Sequence, residues 1–302
     1  MTRAKFWPIL FALLVFPASS AAQFSSNIQG TVQDQTAAAI PNAKVQLRNL
    51  ETQITLNTTA NEAGFYRFNS LPPGRYEVSG EASGFQAAKV EITLLTAQTA
   101  DVTLTLTVAG RVEAVEVTAQ APPIDIADSR IQGTLQQAEM KDLPLQGRSF
   151  LGLTVLAPGV TGVGGVAGGS PGDAPDNFST EKSVAANANG KSEEANFYTV
   201  DGLDITSNIR PGVLNLSPNP ESVQEVSIQT NTFKVEQGRA SSLTVAITTK
   251  SGTNDFHGSA AWFYTDRNLW ARSEFTSKYE PFHKHDISGG VGGPILKNRT
   301  FF

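Results

Sequence analysis

Imidazoles, thiols and paired carboxylates are the groups with the widest chemical reach, and this sequence holds few of them. Only three histidines occur, His257, His283 and His285, and none stands in an H-x-x-E arrangement. A catalytic zinc needs three protein ligands and a nearby carboxylate, and these spacings do not supply that set. Asp201, Gly202 and Asp204 place acids around a glycine. Calcium takes roughly six to eight oxygens, more than this stretch offers, so a tight turn is the better reading. Asp176, Glu181, Glu193 and Glu194 read as solvated loop charges. Cysteine is absent, which excludes thiol catalysis and disulfide staples. No nucleophile, base or metal cluster converges, so no catalytic residue, metal or cofactor is assigned. The expected chemistry is binding and motion.

The elements that would position a binding site begin with an export signal. Arg3 and Lys5 precede an apolar run from Phe6 to Phe16, and the small residues Ser20, Ala21 and Ala22 stand before Gln23. That order is a cleavable secretory signal over residues 1–22. The run is too short for a bilayer-spanning helix, which needs about 20 apolar residues, and no later stretch qualifies. A membrane role must therefore use β-strands. The net charge of −5 carries no basic stripe, which argues against nucleic acid as a partner.

From 27 to 107 the chain reads as short alternating strands separated by Gly, Pro and Asn. Val45 and Leu47 alternate with Lys44 and Gln46, Tyr66 and Phe68 flank Arg67, and Tyr76 and Val78 flank Glu77. Turns are expected at Ile40-Pro41-Asn42, Asn61 to Gly64 and Leu71 to Gly74. About seven strands in so short a segment suit two packed sheets. The phrases GTVQD, IPNAKVQL and NEAGFYRFNSLPPGRYEVSGEASGF resemble the carboxypeptidase regulatory-like domain, a transthyretin-like β-sandwich also grouped with carbohydrate-binding folds. Phe65 and Phe85 are candidate glycan contacts, weighed against ordinary turn packing.

Residues 113–123 form a strand-like segment and linker. In Glu113-Ala114-Val115-Glu116-Val117-Thr118-Ala119 the valines point one way and Glu116 and Thr118 the other, and Pro122-Pro123 ends the run. A strand with no obvious partner suits β-augmentation, in which a second protein pairs with its backbone. Beyond it, 124–255 reads as an α+β domain. Short helices are expected over Gln137 to Leu143 and Ser149 to Ala157, then a Gly-rich mobile loop from Ala157 to Asp176. A strand, turn and strand follow over Ala195 to Ile205, then a helical turn at Glu221 to Gln224. The last strands run over Glu225 to Gln229 and Leu243 to Thr249.

VEVTA resembles the TonB box. LPLQGRSFLGLTVLAPGV, NANGKSEEANFYTVDGLDI, PNPESVQEVSIQTN and GRASSLTVAITTKSGTNDFHGS resemble, in order and spacing, the plug of TonB-dependent receptors. With the sandwich, the chain is most similar to the Oar-like receptors of that family. The resemblance implies Glu113 to Ala119 as the TonB-binding strand, and Arg148, Asp201, Gly202, Asp204, Glu225, Gly238 and Arg239 as plug-motif positions. Val235 to Arg239 departs from the family, which usually has an aromatic just before the glycine.

From 256 the alternation resumes, with Trp262, Phe263 and Tyr264 in a strand and a GGPILKNRTFF ending that reads as the middle of a hairpin. Such segments suit the first strands of an outer-membrane barrel. A family barrel takes about 22 strands, so an incomplete barrel is expected, from either a fragment of a longer receptor or a truncated reading frame. The fold class expected is mainly β: sandwich, plug, and barrel start. The implied function is energy-coupled import across the outer membrane, with TonB, membrane lipid and a ligand such as a glycan or siderophore-like molecule as partners. The competing reading is a secreted or periplasmic carbohydrate-binding or adhesion protein acting through the sandwich.

Overall fold

A computed structural model describes residues 26–108, 131–143, 149–167, 182–231, 240–269 and 283–302. The expected signal peptide, the strand-like segment Glu113 to Ala119, and Arg148, Gly238 and Arg239 lie outside the described residues. Two separate hydrophobic cores organise the rest. One runs from Ile28 to Leu106 and the other from Leu135 to Ile247.

Nine strands build the first unit: β1 (Ser26–Asp34), β2 (Lys44–Asn49), β3 (Thr55–Thr59), β4 (Phe65–Leu71), β5 (Gly74–Glu81), β6 (Phe85–Gln86), β7 (Ala88–Leu94), β8 (Thr99–Asp101) and β9 (Leu104–Val108). The count exceeds the seven or so expected because β6 and β8 are too short to show a period. One sheet has the order β4-β1-β9-β6, with β8 also pairing β1, and the other has the order β3-β2-β5-β7. The alternation legible in the sequence is the burial pattern: Val45, Leu47, Tyr66, Phe68, Tyr76 and Val78 are all buried. Full burial of each large apolar side chain contributes about 2 kcal/mol.

The turn chemistry also follows from side chains. Asn61 Oδ1 accepts from Ala63 N (3.0 Å) and Phe65 N (2.9 Å), which fixes the turn before β4. Gly30 is required by close approach: a Cβ there would stand 1.9 Å from the Val102 carbonyl oxygen. That same oxygen accepts a 2.6 Å hydrogen bond from the buried Tyr66 hydroxyl, and burial holds the phenol well above its ordinary pKa.

The second unit is α+β. Its five-stranded sheet has the order β10-β16-β17-β13-β14, formed by β10 (Gln132–Gln136), β13 (Phe197–Val200), β14 (Leu203–Asp204), β16 (Val223–Gln229) and β17 (Thr244–Thr249). A smaller sheet joins β11 (Val160–Ala167), β12 (Lys182–Ala188) and β15 (Val213–Leu214). Helix α1 (Gln137–Asp142) starts where Glu139 Oε2 accepts from Gln136 N (2.9 Å). Phe150–Leu156 is helical as expected, but as a 3-10 helix that buries Phe150, Leu151 and Leu153. Part of the expected Gly-rich loop is instead a strand: β11 pairs antiparallel with β12, with a register shift between Gly162 and Val166. Its glycines mask a period of two, and the partner strand supplies the order.

Beyond the second unit, β18 (His257–Asp266) and β19 (His283–Gly292) make a ladder of ten residue pairs, from His257 opposite Gly292 to Asp266 opposite His283. Each matches the roughly 9–11 residues of a membrane-crossing strand. A short hairpin of β20 (Pro294–Leu296) and β21 (Thr300–Phe301) follows.

Candidate functional site

The described residues among those that the resemblance implies as plug-motif positions gather on the five-stranded sheet. Asp201 and Gly202 form the expected tight turn between β13 and β14. Both have positive φ (49° and 82°), a conformation that Asp and Gly tolerate. The Asp201 carboxylate reaches across to the end of β17, where Oδ1 accepts from Thr249 N (2.9 Å) and Oδ2 from the Thr249 hydroxyl (2.6 Å). Asp204 Oδ1 accepts from Thr206 N (2.8 Å), and the Thr206 hydroxyl accepts from Tyr198 N (2.9 Å). These carboxylates are engaged in shaping the sheet, as the turn reading anticipated. Tyr198 is buried, which pushes its hydroxyl up to about 12.

Glu225 is the unusual member. It lies on β16 opposite Gln136 of β10 and Thr248 of β17, and is buried with no salt-bridge partner among the described residues. Its Oε1 accepts from Thr96 N (2.9 Å), a donor from the first unit. Burial pushes its carboxyl up to about 7, against the opposing pull of the Thr96 hydrogen bonds. Thus β17 is gripped on both sides, with Thr249 bound by Asp201 and Thr248 lying beside Glu225. Thr96, Gln132 and Thr248 had no signal in the sequence, where each reads as an ordinary turn or strand polar residue.

One face of this sheet is polar and buried. Ser227, Gln229 and Thr244 are at most 1% exposed, and among the described residues Ser227 Oγ, both side-chain polar atoms of Gln229 and Thr244 Oγ1 have no hydrogen-bond partner. The opposite face carries Val226, Ile228, Val245 and Ile247, all buried, as their alternation implied.

The candidate glycan contacts do not come together. Phe65 is on β4 and Phe85 on β6, the two opposite edges of one sheet, and Phe85 packs against the sandwich core. The histidines belong to the long hairpin. Trp262 Nε1 donates to His285 Nδ1 (3.2 Å), and Tyr264 hydrogen-bonds Asp266 (2.9 Å). Among the described residues no three His, Cys, Asp or Glu side chains gather as a metal site. Trp262, Ile287 and Val291 leave an exposed apolar hairpin face of the kind a bilayer covers.

Comparison with known proteins agrees with this layout. Residues 27–107 match the carboxypeptidase regulatory-like domain, and residues 248–302 match the outer membrane beta barrel domain. A regulatory-like sandwich joined to outer-membrane barrel strands is thus the class of protein that fold and family matches define. Within it, the chain is homologous to the TonB-dependent transporters: it is 30% identical over 315 residues to the TonB-dependent transporter Oar of Myxococcus xanthus. The alignment takes in 97% of this chain and 27% of that protein, so the chain spans about a quarter of its relative's length. The outer membrane is accordingly its location. Among solved structures, the siderophore receptor PirA from Acinetobacter baumannii overlaps 55% of this chain and 22% of its own, at 20% identity and a TM-score of 0.37. Catechol 1,2-dioxygenase from Acinetobacter sp. ADP1 overlaps 30% of this chain and 55% of its own, at 12% identity and a TM-score of 0.24.

Proposed function

We propose that this chain is the coupling and gating region of a TonB-dependent outer-membrane transporter. In this reading residues 124–255 are the plug, Glu113 to Ala119 is the strand that TonB pairs with, and 256–302 begin the barrel. The observation that carries the reading is the single homology to a TonB-dependent transporter running through nearly the whole chain, rather than through the sandwich or the barrel strands alone. The α+β unit between those two matched segments supports it, because its helices, turn and strands follow the order of the plug-like phrases.

Ligand binding from outside shifts the plug, and TonB draws on the strand near Val117 to open a path for import. The work is done by binding and movement, with no bond made or broken. Backbone pairing of an added strand needs a ladder of N–H donors, and proline removes one. Val117→Pro in the full chain therefore abolishes capture by TonB in a pull-down, while Val117→Thr retains it. Capture of the proline variant at the unsubstituted level overturns the assignment.

A further inference from the structure

The turn between β7 and β8 is where the sandwich meets the second unit. Thr96, near its tip, engages all three of its polar groups across three strands of the neighbouring sheet. Its N–H donates to Glu225 Oε1 on β16 (2.9 Å), its hydroxyl lies 2.9 Å from the Thr248 hydroxyl on β17, and its carbonyl accepts from Gln132 Nε2 on β10 (3.2 Å). Thr96 and Glu225 are both buried. The turn is braced from its own side: Gln98 Oε1 accepts from Leu95 N (2.9 Å), Leu95 O accepts from Ser26 Oγ (2.9 Å), and Gln98 O accepts from Asn27 N (2.8 Å). A second tie joins the sandwich to the base of the long hairpin. Glu51 O accepts from Asn254 N (3.3 Å), and the Asn254 side chain bonds Asn298 in the turn between β20 and β21 (2.9 Å).

We propose that the sandwich is a clasp on this sheet and on the hairpin base, seated through Thr96 and held while Glu225 stays uncharged in its buried place. The proposal goes beyond the transport reading and does not require it, since it concerns only how two parts of one chain are fastened. Its chemistry is that of a carboxyl group with no salt-bridge partner among the described residues. Gln136 of β10, Thr248 of β17 and Thr96 face Glu225, and none of them titrates. The ionisable residues on the packed elements are Glu139 of α1, Glu221 ahead of β16 and Lys250 beyond β17; burial is the leading cause of the Glu225 shift, and the Thr96 hydrogen bonds oppose it.

The sign follows. Seated, Glu225 titrates at about 7; released into water it returns toward 4.5. Well below the lower value the carboxyl is neutral in both states and pH has no effect. As pH rises through this window only the released state ionises freely, so seating weakens; above the upper value both states are ionised and the weakening is complete.

Two measurements on the full chain in detergent test the clasp, and the absence of native cysteine makes both clean. The first is disulfide trapping of Thr96→Cys with Thr248→Cys. The control is Glu62→Cys with Thr248→Cys, because the turn holding Glu62 lies beside Val32, at the end of β1 away from Asn27. The clasp predicts cross-linking at least about tenfold faster in the first pair, set by local thiol concentration; equal rates, or no cross-link in either, overturn it. The second places spin labels at Glu62→Cys and the exposed Ile209→Cys, leaving the contact intact. The distance distribution is narrow at about pH 5.5 and broad at about pH 8, with the ratio of seated to released molecules falling about thirtyfold. Glu225→Gln, which keeps the acceptor and cannot ionise, stays narrow throughout. A pH response that persists in Glu225→Gln, or no response in the unsubstituted chain, overturns the role of the carboxyl.

Discussion

The sandwich and the sheet of the second unit are both built from mixed, mostly antiparallel ladders over an apolar core, yet they treat buried polar groups in opposite ways. In the sandwich every buried polar side chain has a partner: Ser26 reaches Leu95 O, Asn49 Oδ1 accepts from the amides of Glu51 and Thr52, and Gln98 closes its own turn. The sheet of the second unit buries Ser227, Gln229 and Thr244 without partners among the described residues, and buries Glu225 without a cation. Each orphaned polar group costs about 1–3 kcal/mol relative to its hydrated state. The sandwich closes its buried polar groups internally, whereas the second unit carries a face whose groups are better satisfied by water or by a partner.

The contrast can be broken most forcefully in the sandwich. Gly30→Ala drives a methyl group into the Val102 carbonyl and costs about 3 kcal/mol. Urea unfolding of the full chain followed by circular dichroism shows this as loss of the sandwich transition at lower denaturant, and an unchanged midpoint refutes the close approach. A smaller effect is expected at the grip on β17. Asp201→Ala removes both acceptors of Thr249 and places alanine at positive φ, for about 2 kcal/mol. Its specific signature is faster hydrogen exchange at the Thr249 amide. The smallest change has the opposite sign: Thr244→Val replaces an orphaned hydroxyl with a methyl group of similar shape and stabilises the second unit by about 1 kcal/mol. Destabilisation by that substitution would show that the hydroxyl has a partner and would erase the contrast.

Much of this layout was legible along the chain because it depends on short-range rules. A period of two identifies Val45 and Leu47 or Val226 and Ile228 as inward-facing whatever lies across from them. Asn61 and Asp201 announce their turns because their side chains satisfy the backbone a few residues away or tolerate positive φ. The strand β11 was not legible: glycine has no side chain with which to show a face, so only pairing with β12 reveals it.

The sequence by itself determined the sandwich pattern, the Asp201-Gly202 turn, the hairpin strands, and a family resemblance carried by local phrases, since each is written in contiguous residues. Tertiary structure alone decided that Phe65 and Phe85 stand at opposite sheet edges and that Thr96 meets Glu225. The Thr96 and Glu225 contact spans 129 positions of sequence. No local propensity encodes a contact of that length. Burial raises the pKa of the Glu225 carboxyl, and burial is a property of everything packed around a residue rather than of its neighbours in the chain.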